Sequence, residues 1–266
     1  MTDAVTLRAG DAALTIDPVE GGRFASLVVD GHELLVTEGY GPIEWGCYPM
    51  APFAGRIRDG RFTFHGQDYQ LEINMPPNAI HGTVFTRPWE VMAQTAGRAD
   101  LATDLGPAWP FRGRVTQTVV LRHDGLDAFL ALEADDPMPA WFGWHPWFRR
   151  EVSGVNAELE FTAEEMYERG PDDLPTGHLV PPSPRPWDNA FVGIRAPIRL
   201  TWPGVLSLEL SSTAGVWVAY DERPYAICLE PQTAPPDAVN LSTVDVPIGE
   251  PGHPLTMTMA WRWSST

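Results

Sequence analysis

Apolar and polar residues alternate with a period of two along much of the chain. Every second residue in 206–210 is leucine, and every second residue in 255–263 is leucine, methionine or tryptophan. Successive side chains of a β-strand point to opposite faces of a sheet, so this alternation is typical of half-buried strands. The pattern predicts a protein built mainly from strands.

Short glycine-containing pairs separate several of these stretches. The pairs at 30–31, 65–66 and 124–125 are Asp-Gly or His-Gly. Glycine and aspartate tolerate the positive φ of tight turns, so each pair predicts a β-hairpin. Together with 27 prolines and 24 glycines, these turns favour one large antiparallel β-sandwich domain over residues 1–266.

Two stretches depart from the strand pattern. TAEEMYER, residues 162–169, is predicted to be a short helix or turn. PDDLPTGHLVPPSPRPWD, residues 171–188, is predicted to be a long proline-rich surface loop because proline and glycine interrupt regular elements.

Composition and charge narrow the range of functions. The net charge of −17 argues against nucleic acid as a partner, because phosphate backbones attract basic surfaces. No apolar run approaches the ~18 residues of a membrane span, and the first residues lack the layout of a secretory signal. Two cysteines without CxxC spacing suggest neither a disulfide framework nor zinc. We therefore expect a cytoplasmic protein with no membrane association and no metal or other cofactor.

Glu230 is the strongest candidate for proton chemistry. It follows YAICL, a short apolar run, and precedes Pro231, which prevents the strand from continuing regularly. Burial at such a point would raise the pKa of the carboxyl group toward the range of a general base. A glutamate that faces water at the end of an edge strand is the alternative.

Two histidines are further candidates. His81 lies in IHGTVF and His145 in GWHPWF, and each adjoins a residue that restricts the backbone. Histidine exchanges its proton near neutral pH, so each is a candidate acid or hydrogen-bond partner, or else a structural histidine. Trp144, beside His145, is predicted to form a wall against which a sugar ring rests.

The order of four stretches resembles the aldose 1-epimerase (galactose mutarotase-like) family. They are APFAGRIRDGRF at 51–62, IHGTVFTRPW at 80–89, GWHPWF at 143–148 and LEPQTAPPDAVN at 229–240. The resemblance covers nearly the whole chain. It implies the large β-sandwich of that family, the galactose mutarotase-like supersandwich, with its site in an open cleft.

The resemblance also implies an activity and roles for residues. Family members interconvert the α and β anomers of a free aldose by opening and closing its ring. By resemblance Glu230 is the base that acts on the anomeric hydroxyl, and His145 is the acid that protonates the ring oxygen. Arg56, His81 and Asp188 are expected to bind the monosaccharide.

Departures from the family leave the substrate open. Gly55 stands where the family often has asparagine, and Trp147 replaces a smaller aromatic residue. One alternative is an epimerase of an anionic aldose, a hexose 6-phosphate or a sulfonated sugar, with an anion pocket drawn from four arginines: Arg58, Arg61, Arg87 and Arg149. Others are a non-catalytic sugar-binding protein and a glycoside hydrolase that uses Glu230 and Asp188. The sequence does not indicate the oligomeric state.

Overall fold

The structure, a computed structural model, describes residues 4–39, 41–195 and 197–266. Within these ranges the regular elements are strands and two single-turn 3-10 helices, Arg58–Gly60 and Ala238–Asn240, and no α-helix occurs there. The strands, numbered in chain order, are Val5–Ala9 (β1), Ala12–Asp17 (β2), Arg23–Val29 (β3), His32–Glu33 (β4), Cys47–Met50 (β5), Arg56–Ile57 (β6), Arg61–Phe64 (β7), Gln67–Gln70 (β8), Ala79–Ile80 (β9), Glu90–Gln94 (β10), Arg98–Asp104 (β11), Gly113–Arg122 (β12), Gly125–Ala134 (β13), Met138–Pro139 (β14), Gly143–Arg149 (β15), Glu151–Val152 (β16), Val155–Asn156 (β17), Glu158–Glu160 (β18), Glu165–Arg169 (β19), Pro175–Val180 (β20), Asp188–Val192 (β21), Ile198–Trp202 (β22), Leu206–Ser212 (β23), Val216–Tyr220 (β24), Ala226–Gln232 (β25), Ile248–Gly249 (β26) and Leu255–Ser264 (β27).

Two large antiparallel sheets form the body of the molecule. The first has eleven strands in the order β1-β2-β3-β5-β15-β25-β24-β21-β19-β20, with β4 paired to β3. The second has eight strands in the order β10-β11-β12-β13-β27-β23-β22-β18. The predicted all-β fold with a large antiparallel β-sandwich is confirmed.

The core lies between the two sheets. Trp261, from the alternating C-terminal strand β27, packs against Phe24 and Phe148 of the eleven-stranded sheet at ring-centroid distances of 6.0 and 5.0 Å. Every second residue of β27 from Met257 to Trp263 is buried. The period of two therefore decides which side chains enter the core.

All three predicted hairpin turns are present, but the two irregular stretches are not as predicted. The turns join β3 to β4, β7 to β8 and β12 to β13. Residues 162–169 form no helix or isolated turn, because β19 is inserted between β20 and β21 and Met166 is buried there. The proline-rich stretch 171–188 contains strand β20. In both stretches pairing within a sheet overrides the local signal.

Strands β15 and β25 lie at the centre of the eleven-stranded sheet and are covered on both faces. Almost every residue of the two strands is buried. One face meets the core, and segments 41–46, 51–56 and 75–87 cover the other. Buried Arg23 holds the first segment by donating to the carbonyls of Pro42 and Trp45. This covered outer face holds the candidate site.

Candidate active site

Strand register brings the two proton-transfer candidates together. On β15 and β25, Gly143 is paired with Gln232 and Trp147 with Cys228. The same antiparallel register sets His145 opposite Glu230. Residues directly opposite each other on neighbouring strands lie within reach of each other's side chains. Two residues far apart in sequence are therefore neighbours in the sheet.

The same register carries Asp188 to this face. Asp188 on β21 is paired with Tyr220, Tyr220 with Cys228, and Cys228 with Trp147. These four residues form the next row of the sheet beside the row that contains His145 and Glu230. Because the side-chain period is two, both rows face the same side.

A cavity of about 340 Å³ lies above these rows. Five predicted site residues line it: Arg56, His81, His145, Asp188 and Glu230. Its volume is at the small end of the range of ligand pockets. A neighbouring cavity of about 540 Å³ shares part of its wall, but neither His145 nor Glu230 lines it. Convergent ionisable groups therefore identify the smaller cavity as the candidate site.

His145 and Glu230 are in direct contact at the floor of this cavity. Nε2 of His145 lies 3.3 Å from Oε1 of Glu230, and both side chains are nearly inaccessible to solvent. The amide of Gln232 donates to the other carboxylate oxygen, Oε2, at 3.0 Å. One carboxylate oxygen thus faces the histidine while a side chain from the same strand fixes the second.

Aromatic rings enclose His145 on two sides. The indole of Trp147 is parallel to the imidazole, with ring centroids 5.2 Å apart and an interplanar angle of 2°. The ring of Tyr48 lies 5.0 Å away in a tilted arrangement. The tyrosine hydroxyl donates to the carbonyl of Ile43 and so cannot swing toward the imidazole without breaking this bond. The aromatic residues of GWHPWF and β5 therefore exclude water and fix the ring plane.

Burial drives both members of the pair toward their uncharged forms. It lowers the pKa of His145 from 6.5 to about 3, and the positive charges of Arg23 and Arg56 act in the same direction. Burial also raises the pKa of Glu230 well above its usual range, with a further contribution from Asp188. The favoured state is a protonated Glu230 facing a neutral imidazole, so the pair holds one proton.

His81 stands beside this pair in an uncommon backbone conformation. Its φ is 60°, and its backbone N–H donates to the carbonyl of Gly55 at 2.8 Å. The imidazole meets that of His145 edge to face, with centroids 5.0 Å apart. Burial, followed by His145 and Arg56, lowers the pKa of His81 well below 6.5, so it is neutral. A non-glycine residue in this region of backbone space is frequently part of a functional site.

A second group of charged residues lies away from His145 and Glu230. Oδ2 of Asp188 is 3.2 Å from Nη2 of Arg169 and 4.0 Å from Nη1 of Arg56. Arg169 also contacts Oδ1 of Asp173 at 3.0 Å. Carboxylate and guanidinium groups make charge-assisted hydrogen bonds, which are suited to sugar hydroxyls.

Unsatisfied polar atoms are concentrated at this cavity. The described part of the chain has eight buried side-chain nitrogen or oxygen atoms without a hydrogen-bond partner, and five belong to residues that line the cavity: His81, His145, Trp147, Arg169 and Gln232. Buried polar groups in folded proteins are normally paired. Five of the eight unpaired atoms thus belong to residues of one cavity, which sets it apart from the rest of the described core.

The structure does not place Trp144, which was predicted to rest against a sugar ring, at this cavity. Its neighbour His145 faces the cavity, so Trp144 faces the core on the opposite side of the strand. The indole is fully buried, and its Nε1 donates to Oε1 of Gln117 on the eight-stranded sheet at 2.8 Å. Trp147, two residues after His145, takes the place beside the cavity.

Sequence reasoning missed Gln232, Trp147, Tyr48 and Arg169. Gln232 and Trp147 lie two residues from Glu230 and His145, so a strand period applied to each motif would have placed them on the same face. Nothing in the sequence places Tyr48 or Arg169, because their positions depend on pairing with distant strands.

The four arginines of the predicted anion pocket do not line this cavity. Arg58 contacts Asp172 and Asp237, and Arg61 donates to Gln70. Arg87 and Arg149 donate to backbone carbonyls.

Within the described ranges no three histidine, cysteine or acidic side chains are grouped so as to hold a metal ion. No helix in the described structure has the length and apolarity needed to cross a membrane.

Known proteins resemble this chain in sequence and in fold. The uncharacterised protein YphB of Escherichia coli K12 is 28% identical over 242 residues, which cover 81% of this chain and 83% of YphB. A solved structure from Escherichia coli K12, provisionally described as an aldose 1-epimerase, has a TM-score of 0.87 at 21% identity and covers 99% of both chains.

A further solved structure is similar to this fold. Galactose 1-epimerase from Lactobacillus acidophilus NCFM has a TM-score of 0.81 at 16% identity, with 98% of this chain and 94% of that one covered. The model of the aldose 1-epimerase family matches residues 3–242. This range contains all four sequence stretches and every residue that lines the cavity. The chain therefore belongs to the aldose 1-epimerase family.

Proposed function

We propose that the protein is a mutarotase that interconverts the α and β anomers of a neutral free aldose, with Glu230 as base and His145 as acid. The observation that carries the proposal is the 3.3 Å contact between Glu230 Oε1 and His145 Nε2 at the floor of a sugar-sized cavity. Ring opening needs one group that takes the proton of the anomeric hydroxyl and another that gives a proton to the ring oxygen. Both oxygens are bonded to C1, and the two candidate groups are neighbours in this cavity.

Ring opening uses the single proton of this pair. With Glu230 ionised and His145 protonated, the carboxylate takes the proton of the anomeric hydroxyl while the bond from C1 to the ring oxygen breaks. The imidazolium gives its proton to the ring oxygen, and the open-chain aldehyde forms. Rotation about the C1–C2 bond exposes the other face of the carbonyl. The two transfers in reverse then close the ring as the other anomer.

The electrostatics of the pocket favour the same protonation of the pair before and after ring opening. Burial favours a protonated Glu230 and a neutral His145, which is the resting state and also the state that follows ring opening. The ionised Glu230 and protonated His145 that start the reaction therefore form first, by proton exchange between the two groups across 3.3 Å.

The charges that line the cavity favour a neutral sugar. Its three arginines, Arg56, Arg169 and Arg223, each lie within 4.0 Å of a carboxylate. Five acidic residues line the same space, Glu44, Asp173, Asp188, Glu222 and Glu230, and four of them remain ionised when Glu230 is protonated. A phosphate or sulfonate would meet net negative charge and would have to displace an existing ion pair.

The test is anomer exchange at equilibrium, measured by NMR saturation transfer on glucose, galactose, xylose, glucose 6-phosphate and a 6-sulfonated glucose. We expect faster exchange for at least one neutral sugar and lower rates for the two anions. Glu230→Gln should lower kcat by about 10²–10⁴-fold, the usual contribution of one acid or base. Glu164→Gln, at an exposed ion pair with Arg195, is the matched control and should retain the wild-type rate.

The other functions make different predictions. A non-catalytic binding protein would bind a sugar in calorimetric titration without accelerating exchange. A glycoside hydrolase would cleave an aryl glycoside, which a mutarotase leaves intact. An anionic-sugar epimerase would prefer glucose 6-phosphate or the sulfonated sugar.

A further inference from the structure

Arg169 lines this cavity, and the proton-transfer mechanism does not use its contacts. It is the last residue of β19, which is hydrogen-bonded to β21, the strand that begins at Asp188. Its side chain is three-quarters buried and lines the cavity. A buried guanidinium needs partners for its five N–H donors, so these contacts indicate what it holds.

One terminal nitrogen of Arg169 joins two carboxylates. Nη2 lies 3.2 Å from Oδ2 of Asp188 and 3.0 Å from Oδ1 of Asp173. Arg56 is farther from Asp188, at 4.0 Å. Arg169 is therefore the closer cation and fixes the direction of the Asp188 carboxylate. Its own Nε is buried without a partner, so its donors are not all used.

The segment 170–174 braces this arrangement from outside. Asp173 has a φ of 62°, and the N–H of Gly170 donates to the carbonyl of Leu174 at 2.8 Å, which closes a tight turn. Arg58 binds Asp172 of the same turn. A non-glycine residue at positive φ persists when its surroundings fix it, and here it presents a carboxylate to Arg169.

The distance of Arg169 from the catalytic pair indicates which part of a bound sugar would lie beside it. Strand β24 separates β21 from β25, so the Asp188 and Glu230 strands are about 10 Å apart at the usual strand spacing. One pyranose ring with a hydrogen bond at each end spans such a gap. A sugar whose C1 faces Glu230 would present hydroxyls remote from C1 to Asp188 and Arg169.

We propose that Arg169 is a specificity-determining residue that positions the sugar. It holds the Asp188 carboxylate toward the cavity and donates to a hydroxyl remote from the anomeric carbon. The Asp188 carboxylate, as acceptor, and the Arg169 guanidinium, as donor, then bind adjacent hydroxyls of the sugar. This inference rests on the proposed mutarotase function. Arginine suits the role because its planar fork binds a carboxylate and still presents further donors.

The experiment compares Arg169→Gln and Arg169→Lys with wild type on the best sugar of the panel and on its 2-, 3- and 4-deoxy analogues. For Arg169→Gln we expect KM for the parent sugar to rise by about tenfold or more, with kcat within threefold of wild type. With one deoxy analogue the wild type should already have the raised KM, and the substitution should add little. Arg169→Lys, which keeps the charge without the fork, should be intermediate. Arg195→Gln, at the exposed Glu164 pair, is the control.

Two results would overturn the inference. One is an unchanged KM for every sugar in Arg169→Gln. The other is an equal fall of kcat/KM in Arg169→Gln for the parent sugar and for every deoxy analogue, which would show that the effect does not depend on a particular hydroxyl. If wild type accelerates no sugar, the mutarotase proposal itself fails, whereas an active wild type with an unaltered Arg169→Gln rejects only the role of Arg169. Circular dichroism at the assay temperature establishes that each variant is folded.

Discussion

The protonation state of His145 and Glu230 predicts how stability depends on pH, with a definite sign. Burial lowers the pKa of His145 to about 3 in the folded protein, against 6.5 for an ordinary histidine. The unfolded chain therefore binds a proton below pH 6.5 that the folded chain accepts only near pH 3. The stability linked to neutral His145 is fully present above pH 6.5 and is lost as the pH falls toward 3.

The size of this effect follows from the pKa difference. One pKa unit corresponds to about 1.4 kcal/mol of free energy. From pH 6.5 down to pH 4, an interval of about 2.5 pH units, His145 is protonated in the unfolded chain but not in the folded chain. The unfolded state is thereby stabilised by about 3 kcal/mol relative to the folded state. The substitution His145→Asn removes this term and leaves the other titrating groups in place. Glu230 stays protonated in the variant because burial is the first cause of its raised pKa.

The assay is urea unfolding of wild type and His145→Asn at pH 7 and pH 4. The difference in unfolding free energy, wild type minus variant, should fall by about 3 kcal/mol at the lower pH. A charged pair in the resting site would raise the pKa of His145 above 6.5 and reverse this sign. A difference that stays constant or grows at pH 4 would therefore refute the neutral pair.

Two further predictions concern residues outside the chemistry. Trp144→Phe removes the hydrogen bond to Gln117 in the core. It should lower the free energy of unfolding by about 1–3 kcal/mol and leave kcat/KM within twofold of wild type. A raised KM with unchanged stability would instead show that Trp144 contacts the sugar. Gly82→Ala should be much more destabilising than Gly31→Ala, as measured by Tm. Both glycines have positive φ, but a Cβ at Gly82 would lie 2.0 Å from the carbonyl oxygen of Ala51, whereas Gly31 faces open space. The backbone strain of alanine at positive φ, about 1 kcal/mol, is the same at both positions. Equal losses of Tm in the two variants would therefore show that the segment beside His81 moves to relieve the clash.

Much of the fold could be predicted because its signals are local. Alternation in β23 and β27 is a property of each strand, and the turn pairs at 30–31, 65–66 and 124–125 act within a few residues. The exceptions were β19 and β20, whose sequences carry helix-like or loop-like residues. Those strands exist because neighbouring strands supply hydrogen-bond partners, which a local pattern does not contain.

The sequence by itself determined which residues could carry the proposed proton transfer, since it contains the motifs around Arg56, His81, His145 and Glu230 in their order along the chain. It also contained the information that Trp144 and His145, as neighbours on a strand, face opposite sides. Only the tertiary structure decided that His145 stands opposite Glu230, that Tyr48 and Trp147 enclose it, and that Arg169 meets Asp188. These relations depend on the register between strands distant in sequence, and on the burial that register creates. Burial in turn sets the protonation of the pair.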